Sequence, residues 1–283
     1  MPYDLSIIIV NWNTRDDLGR CLESLQEARA RLAMEVLVVD NGSRDGSPRM
    51  VRRRFPWVRL IATGRNLGFA RGNNVGFAAA TGRFLLLLNP DTIVHDDALE
   101  QMVRYAQAHP RVGLLGPMLL NSDGSLQPSC RRFPTVAALA FRNTLLGQWL
   151  PRNRFAQSYL MEEWNHREPR GVDWLSGACL LARAELVRQF GGLDERYFMY
   201  VEDMDWGLQA HRAGWDVVYL PSARVTHAVG RSSDQRPAAM VKAHHQSMYL
   251  YVRKHYGAAA ALLAAPLIAL RCWAVLQRAK PGP

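Results

Sequence analysis

The run Phe84–Leu88 places five apolar residues in a row and stops at Asn89, Pro90 and Asp91. Such a run suits a strand buried on both faces, as in a parallel sheet, and Pro90 ends its ladder. Residues 6–10 and 36–39 are β-branched runs ending in Asn11 and in Asp40-Asn41-Gly42-Ser43, and residues 58–62 read as a third strand. Between them, residues 16–30 space Leu18, Leu22 and Leu25 as a helix, residues 49–55 are short and basic, and residues 66–80 carry Gly68, Gly72 and Gly76 ahead of an amphipathic stretch. Strands alternating with helices predict an α/β fold around a mostly parallel central sheet flanked by helices.

Downstream, residues 98–108 read as a helix and residues 112–120 as a strand. A turn at Asn121-Ser122-Asp123-Gly124 then suggests a hairpin. Residues 140–170 lack periodicity and read as a mobile or substrate-shaped insertion. Apolar residues 178–181, a helix over 184–190, a helix over 202–213 closed by Gly214, and strands at 217–220 and 224–227 complete the pattern. From Ala238 onward the pattern is helical. Residues 257–270 lack charge but are too few for an ordinary membrane span, and basic residues flank them, which fits an interfacial helix on an anionic surface.

At 283 residues and 48% hydrophobic, the chain can bury a large core. The net charge of +10 is almost all arginine, since Lys242, Lys254 and Lys280 are the only lysines. Such a charge suits nucleic acid, an anionic membrane or phosphate on a small ligand, and the scatter of the arginines, with no recognition helix or aromatic RNA-binding signature, gives nucleic acid weak support. Cys21, Cys130, Cys179 and Cys272 show no paired spacing, as in a reducing compartment. The opening residues have neither a basic leader nor a cleavage site, so no signal peptide is expected.

Three strand ends carry polar residues of one kind: Asn11 to Asn13, Asp40 to Ser43 and Asn89 to Asp91. Parallel sheets bind ligands beyond such ends, and a carboxylate there can accept from ribose hydroxyls or base N–H groups. No GxGxxG follows the first strand and no P-loop occurs. Three carboxylates, Glu202, Asp203 and Asp205, crowd one helix start. Helical spacing puts Glu202, Asp205 and Trp206 on one face and turns Asp203 away.

The segments SIIIVNWNT, VLVVDNGSRDGS, NLGFARGNNVGF, LLLLNPD, DWLSGACLLARAE, GGLDERYFMYVEDMDWGLQAHRAGW and VTHAVGRSS run in order over residues 5–232. Together they resemble the inverting family 2 glycosyltransferases with the GT-A nucleotide-sugar fold, and among these the bacterial rhamnosyltransferase-type members. The resemblance implies a transferase domain over 1–232, with a donor half to about residue 110 and an acceptor half beyond, followed by a helical extension over 233–283.

By the same resemblance Asn11, Asn13, Asp40, Asn41, Arg71, Asn73 and Asn89 bind the donor nucleotide. Asp91 and His227 hold a divalent metal, Mn²⁺ or Mg²⁺. Asp203 is the catalytic base, Trp174, Ser176, Gly177, Glu202 and Trp206 frame the acceptor or donor sugar, and Arg231 is a diphosphate contact. Asn89 stands where the family commonly has the first aspartate of its metal element. That departure is the feature favouring a noncatalytic sugar-binding module, whereas a positioned base argues for turnover. The implied substrates are a nucleotide-diphospho-sugar, dTDP-linked by preference and carrying rhamnose, with galactofuranose or another hexose as the alternative, and a glycan or polyprenyl-diphosphate-linked acceptor. The implied location is the cytoplasmic face of the cell membrane, with peripheral membrane contact.

Overall fold

Strands β1 (Leu5–Asn11), β2 (Met34–Asp40), β3 (Arg59–Ala62) and β4 (Phe84–Leu88) lie side by side in the order β3-β2-β1-β4, all parallel. The computed structural model describes residues 3–134, 154–228 and 237–278. Helices α1 (Arg15–Ser24), α2 (Ser47–Arg54) and α3 (Phe69–Ala79) make the crossovers. The order reverses between β1 and β4, which opens a crevice at their carboxyl ends.

Strand parity sorts the core. Ile7, Ile9, Phe84, Leu86 and Leu88 pack into one cluster, whereas Ile8, Leu85 and Leu87 pack into the cluster on the opposite face. All five residues of β4 are buried, as the unbroken apolar run predicts. Helix α3 rides close on β1: a Cβ on Gly76 would stand 2.3 Å from Ile8 Cγ2, and one on Gly72 would stand 2.9 Å from Val10 Cγ1.

The sheet continues beyond β4 through β11 (Cys179–Arg183), β6 (Val112–Leu120), β12 (Asp216–His227) and β5 (Thr92–Val94). Strand β11 runs antiparallel to both β4 and β6, while β12 runs parallel to β6, so this half of the sheet is mixed. The predicted hairpin forms: β7 (Leu126–Gln127) pairs back on β6. Residues 217–220 and 224–227 are one strand, whose register with β6 shifts between Leu220 and Arg224. Strand β9 (Arg170–Gly171) adds to β12, and β8 (Cys130–Arg131) pairs with β10 (Trp174–Leu175) in a separate ribbon.

Helices α4 (Ala98–Ala108), α5 (Arg154–Leu160), α6 (Ala184–Phe190) and α7 (Glu202–Arg212) flank these strands. Helix α1 stops at Ser24, short of the expected span, with a single 3₁₀ turn at Ala28–Ala30 after it. Residues 140–153 of the expected insertion lie outside the described residues. The rest is built into the fold, because Met161 is buried and Trp164 packs edge-on to the buried Tyr219.

Helix α8 (Pro237–Arg278) is broken at Gly257, where φ is 90° and ψ 171°. Met240 and Val275 line one cavity. A straight helix would hold them about 50 Å apart, so α8 doubles back at Gly257 into a hairpin. The return half runs on through Pro266 and Arg271, past the uncharged stretch. By length and composition α8 is long and apolar enough to cross a membrane, and its apolar stretch is almost entirely unburied.

Candidate active site

The ends of β1 and β2 form a braced polar corner. Asn11 Nδ2 donates to Asp40 Oδ1 and to Ser43 Oγ, both at 3.0 Å, and the Ser43 N–H returns to Asp40 Oδ2 at 3.0 Å. Asn41 Nδ2 donates to the Gly68 carbonyl at 3.0 Å, and Asn13 Oδ1 accepts from the Arg44 N–H at 2.7 Å. Asn11, Asp40 and Asn41 are buried, as a network whose members satisfy one another permits. Asn73 is also buried, its amide donating to the Phe69 carbonyl at 2.9 Å within α3. Arg71 lies half exposed, 3.5 Å from Glu195.

Glycines 68 and 72 are required by packing. Gly68 has φ 84°, and a Cβ there would stand 2.3 Å from the Phe198 carbonyl oxygen, which accepts the Phe69 N–H at 2.7 Å. The Cβ of any residue at 72 would press on Val10 and Asn41.

Beyond β4 a second group converges from three separate elements. His227 Nε2 lies 3.2 Å from Asn89 Nδ2 and 3.4 Å from Asp91 Oδ1, and both the Asp91 and the His227 side chains are nearly buried. His227 Nδ1 lies 2.8 Å from Gln127 Oε1, while Gln127 Nε2 donates to Asn121 Oδ1 and to the His227 carbonyl. Those two acceptors fix the Gln127 amide orientation. Nδ1 then carries the proton, and the Nε2 lone pair faces Asn89 and Asp91. Thr92 Oγ1 donates to the Asn89 carbonyl at 2.7 Å, and Cys21 Sγ contacts both, its thiol pushed up to about 12 by burial.

Asp203 opens α7. Its Oδ2 accepts from the Gly177 N–H at 3.1 Å and its Oδ1 from the Met204 N–H at 2.8 Å. Burial raises its pKa above the usual carboxylate range against the opposing effect of these donors and of the Arg131 charge. The preceding Tyr200 and Val201 both sit at positive φ, 68° and 75°. A β-branched residue there is a genuine outlier costing about 1–3 kcal/mol. The packing of Val201 with Tyr197, Met204 and Tyr251, and a Ser247 hydroxyl donated to the Met199 carbonyl at 3.0 Å, hold that turn.

Not every expected residue reaches a cavity. Trp206 does not frame a sugar: it is fully buried, stacks on Phe77 at 5.6 Å and donates its indole N–H to the Gly192 carbonyl. Glu202 is also buried, with one carboxyl oxygen lacking a partner, and burial next to Asp203 holds its pKa well above the ordinary value. Helical spacing put both on the core face, and the core took them. Ser176 is half-buried, its Oγ accepting the Ala178 N–H, while Trp174 and Asp203 line one cavity of about 490 Å³. Arg231 lies outside the described residues.

Gln127 and Arg131 escaped the sequence reading, because a polar residue in a hairpin arm carries no periodic signal. Among the described residues no group of three or more His, Cys, Asp or Glu converges as a metal cage, so Asp91 and His227 would be a two-ligand protein contribution.

The model of the family described as "Glycosyltransferase like family 2" matches residues 2–249. The N-acetylglucosaminyl-diphospho-decaprenol L-rhamnosyltransferase of Mycobacterium tuberculosis is 37% identical over 265 residues, spanning 89% of this chain and 85% of that protein. Rhamnosyltransferase WbbL of Escherichia coli is 24% identical over 88% of this chain and 92% of its own length. Among solved structures, mannosyltransferase PcManGT from Pyrobaculum calidifontis, in complex with GDP-Man and Mn²⁺, superimposes with a TM-score of 0.59 at 19% identity, covering 100% of this chain and 77% of that one. That likeness shows the GT-A fold, and the match over nearly the whole chain shows the rest: the protein is a glycosyltransferase and belongs to family 2.

Proposed function

We propose that this glycosyltransferase moves rhamnose from a nucleotide-diphospho-sugar, dTDP-linked by preference, to a hydroxyl of a polyprenyl-diphosphate-linked sugar, with inversion at the anomeric carbon. The sugar and the acceptor rest on the 37% identical relative and its printed activity. The observation that carries the chemistry is Asp203: its carboxylate is fixed by two backbone N–H groups, made more basic by burial, and opens on the 490 Å³ cavity.

In this reading Asp203 takes the proton of the acceptor hydroxyl as that oxygen attacks the sugar C1. The C1–oxygen bond to the diphosphate breaks on the opposite face, and the nucleoside diphosphate leaves. Asp40 keeps acceptor capacity beyond its two internal donors and suits a ribose or base contact, with Asn13 just past the end of β1 and Arg71 in the first turn of α3 as further donor-side residues. Asp91 and the Nε2 lone pair of His227 fit a divalent cation, Mn²⁺ better than Mg²⁺ for its imidazole. Bound there, such an ion supplies charge neutralisation for the leaving diphosphate. Exposed leucines on the return half of α8 suit contact with the inner face of the membrane.

Asp203→Asn tests the reading. Thermal stabilisation by dTDP with Mn²⁺ should persist, while transfer falls by about 10²–10⁴. Transfer at the wild-type rate would remove Asp203 from the role. Inversion is checked by the anomeric coupling of the product in an NMR spectrum.

A further inference from the structure

The cavity beside Asp203 has two chemically distinct walls. Trp174 and Asp203 stand on the catalytic side, and the α8 hairpin supplies the other, with Met240, Val241 and Met248 from its first half and Arg271 and Val275 from its return half. Among the described lining residues Asp203 is the one carboxylate, against Arg131, Arg271, His244 and His245, and no Asn, Gln, Ser or Thr lines the space. The α8 residues lining the space carry no amide, hydroxyl or carboxylate, so the groups that hold a hydroxyl-rich glycan chain, Asp203 and the phenols of Tyr159 and Tyr200, all lie outside that wall. An anion on an apolar stem matches it instead.

His245 adds an independent sign of a ligand. It is 8% exposed, its Nδ1 lies 2.7 Å from the Val241 carbonyl within its own helix, and its Nε2 is buried without a partner. A phosphate oxygen beside a doubly protonated ring would supply that partner. On the return half Leu263, Leu267 and Trp273 are 81%, 71% and 60% exposed, so the helix that brings Arg271 and Val275 to the cavity also carries open apolar surface.

We infer that this cavity holds the acceptor by its lipid-diphosphate end. Arg131, His245 and Arg271 take the diphosphate, Met240, Val241 and Val275 pack on the first isoprenoid units, and the acceptor hydroxyl is left beside Asp203. The assignment rests on the lipid-linked-acceptor reading above and makes the aglycone, rather than a growing polysaccharide, what the enzyme recognises.

The test is calorimetric titration of the full chain with farnesyl diphosphate, with farnesyl phosphate, farnesol and inorganic diphosphate as separate arms, beside thermal stabilisation by dTDP and Mn²⁺. Farnesyl diphosphate should bind at least about tenfold more tightly than each of the other three. Arg271→Gln and Val275→Asp should each weaken it by about tenfold or more while stabilisation by dTDP stays unchanged. The inference is overturned if the wild type ignores farnesyl diphosphate, if neither substitution alters its binding, or if inorganic diphosphate binds as tightly and competes with dTDP. Absence of stabilisation by any nucleotide would instead strike the donor reading and leaves the titration result standing by itself.

Discussion

Lys254 Nζ donates to the buried carboxylate of Asp205 at 2.8 Å, two residues beyond the candidate base on the same helix. His255 reaches the other oxygen of Asp205, Tyr197 and Gln209 also donate to it, and Lys254 bridges to Asp194 at 2.9 Å. These bonds fasten the first half of the C-terminal hairpin to α7, the helix that Asp203 opens. Asp205→Ala would remove the shared acceptor of Lys254, His255, Tyr197 and Gln209 and break a buried ion pair, at a cost of about 3–5 kcal/mol. Urea denaturation should read that loss, with faster amide exchange in both α7 and α8; a loss below about 1 kcal/mol would contradict the fastening.

Glu202 should tolerate neutralisation. Its folded pKa is raised, chiefly by burial and then by the Asp203 charge, so the folded state holds a proton that the unfolded chain releases. Stability is therefore drawn down as pH rises from the unfolded carboxyl pKa, about 4.3, toward the raised folded value. Glu202→Gln keeps the shape and removes the penalty. Its melting temperature should exceed that of the wild type at pH 8 and converge with it near pH 4, and a lower value at pH 8 would refute the neutral buried carboxyl.

Gln127 orients His227 from behind, through the 2.8 Å contact at Nδ1. Losing such an outer partner typically weakens metal binding by about 10–100-fold. Gln127→Leu should therefore lower Mn²⁺ affinity in the presence of dTDP by that order, measured by electron paramagnetic resonance of free Mn²⁺. An unchanged affinity would make Gln127 a hairpin brace and nothing more.

The return half of α8 should bind anionic vesicles. Leu263→Glu with Leu267→Glu places two carboxylates on its most exposed apolar positions, 81% and 71% exposed, without touching the core. Co-flotation with phosphatidylglycerol vesicles should drop sharply while the far-UV circular dichroism is kept. Flotation equal to the wild type would remove the membrane role.

The sequence by itself determined the elements and the order of the motifs. The five apolar residues of β4, the β-branched runs of β1 and β2, and helices α4 and α6 stand where their periodicity puts them, because side-chain period and end signals are local properties of the chain. Tertiary structure decided direction and company. A buried strand reads the same whichever way it runs, so nothing in residues 179–183 announced that β11 would lie antiparallel between β4 and β6. Asn89 and His227 are 138 residues apart and meet only because β12 returns beside the end of β4. Trp206 and Glu202 looked like site residues by their place in the motif but were claimed by the core: helical spacing puts them on one face, and only the packing of a second element decides that this face is turned inward. The hairpin at Gly257 turned a long apolar helix into a cavity wall, and its first half is held in place by long-range contacts such as Lys254 with Asp205, which local patterning does not encode.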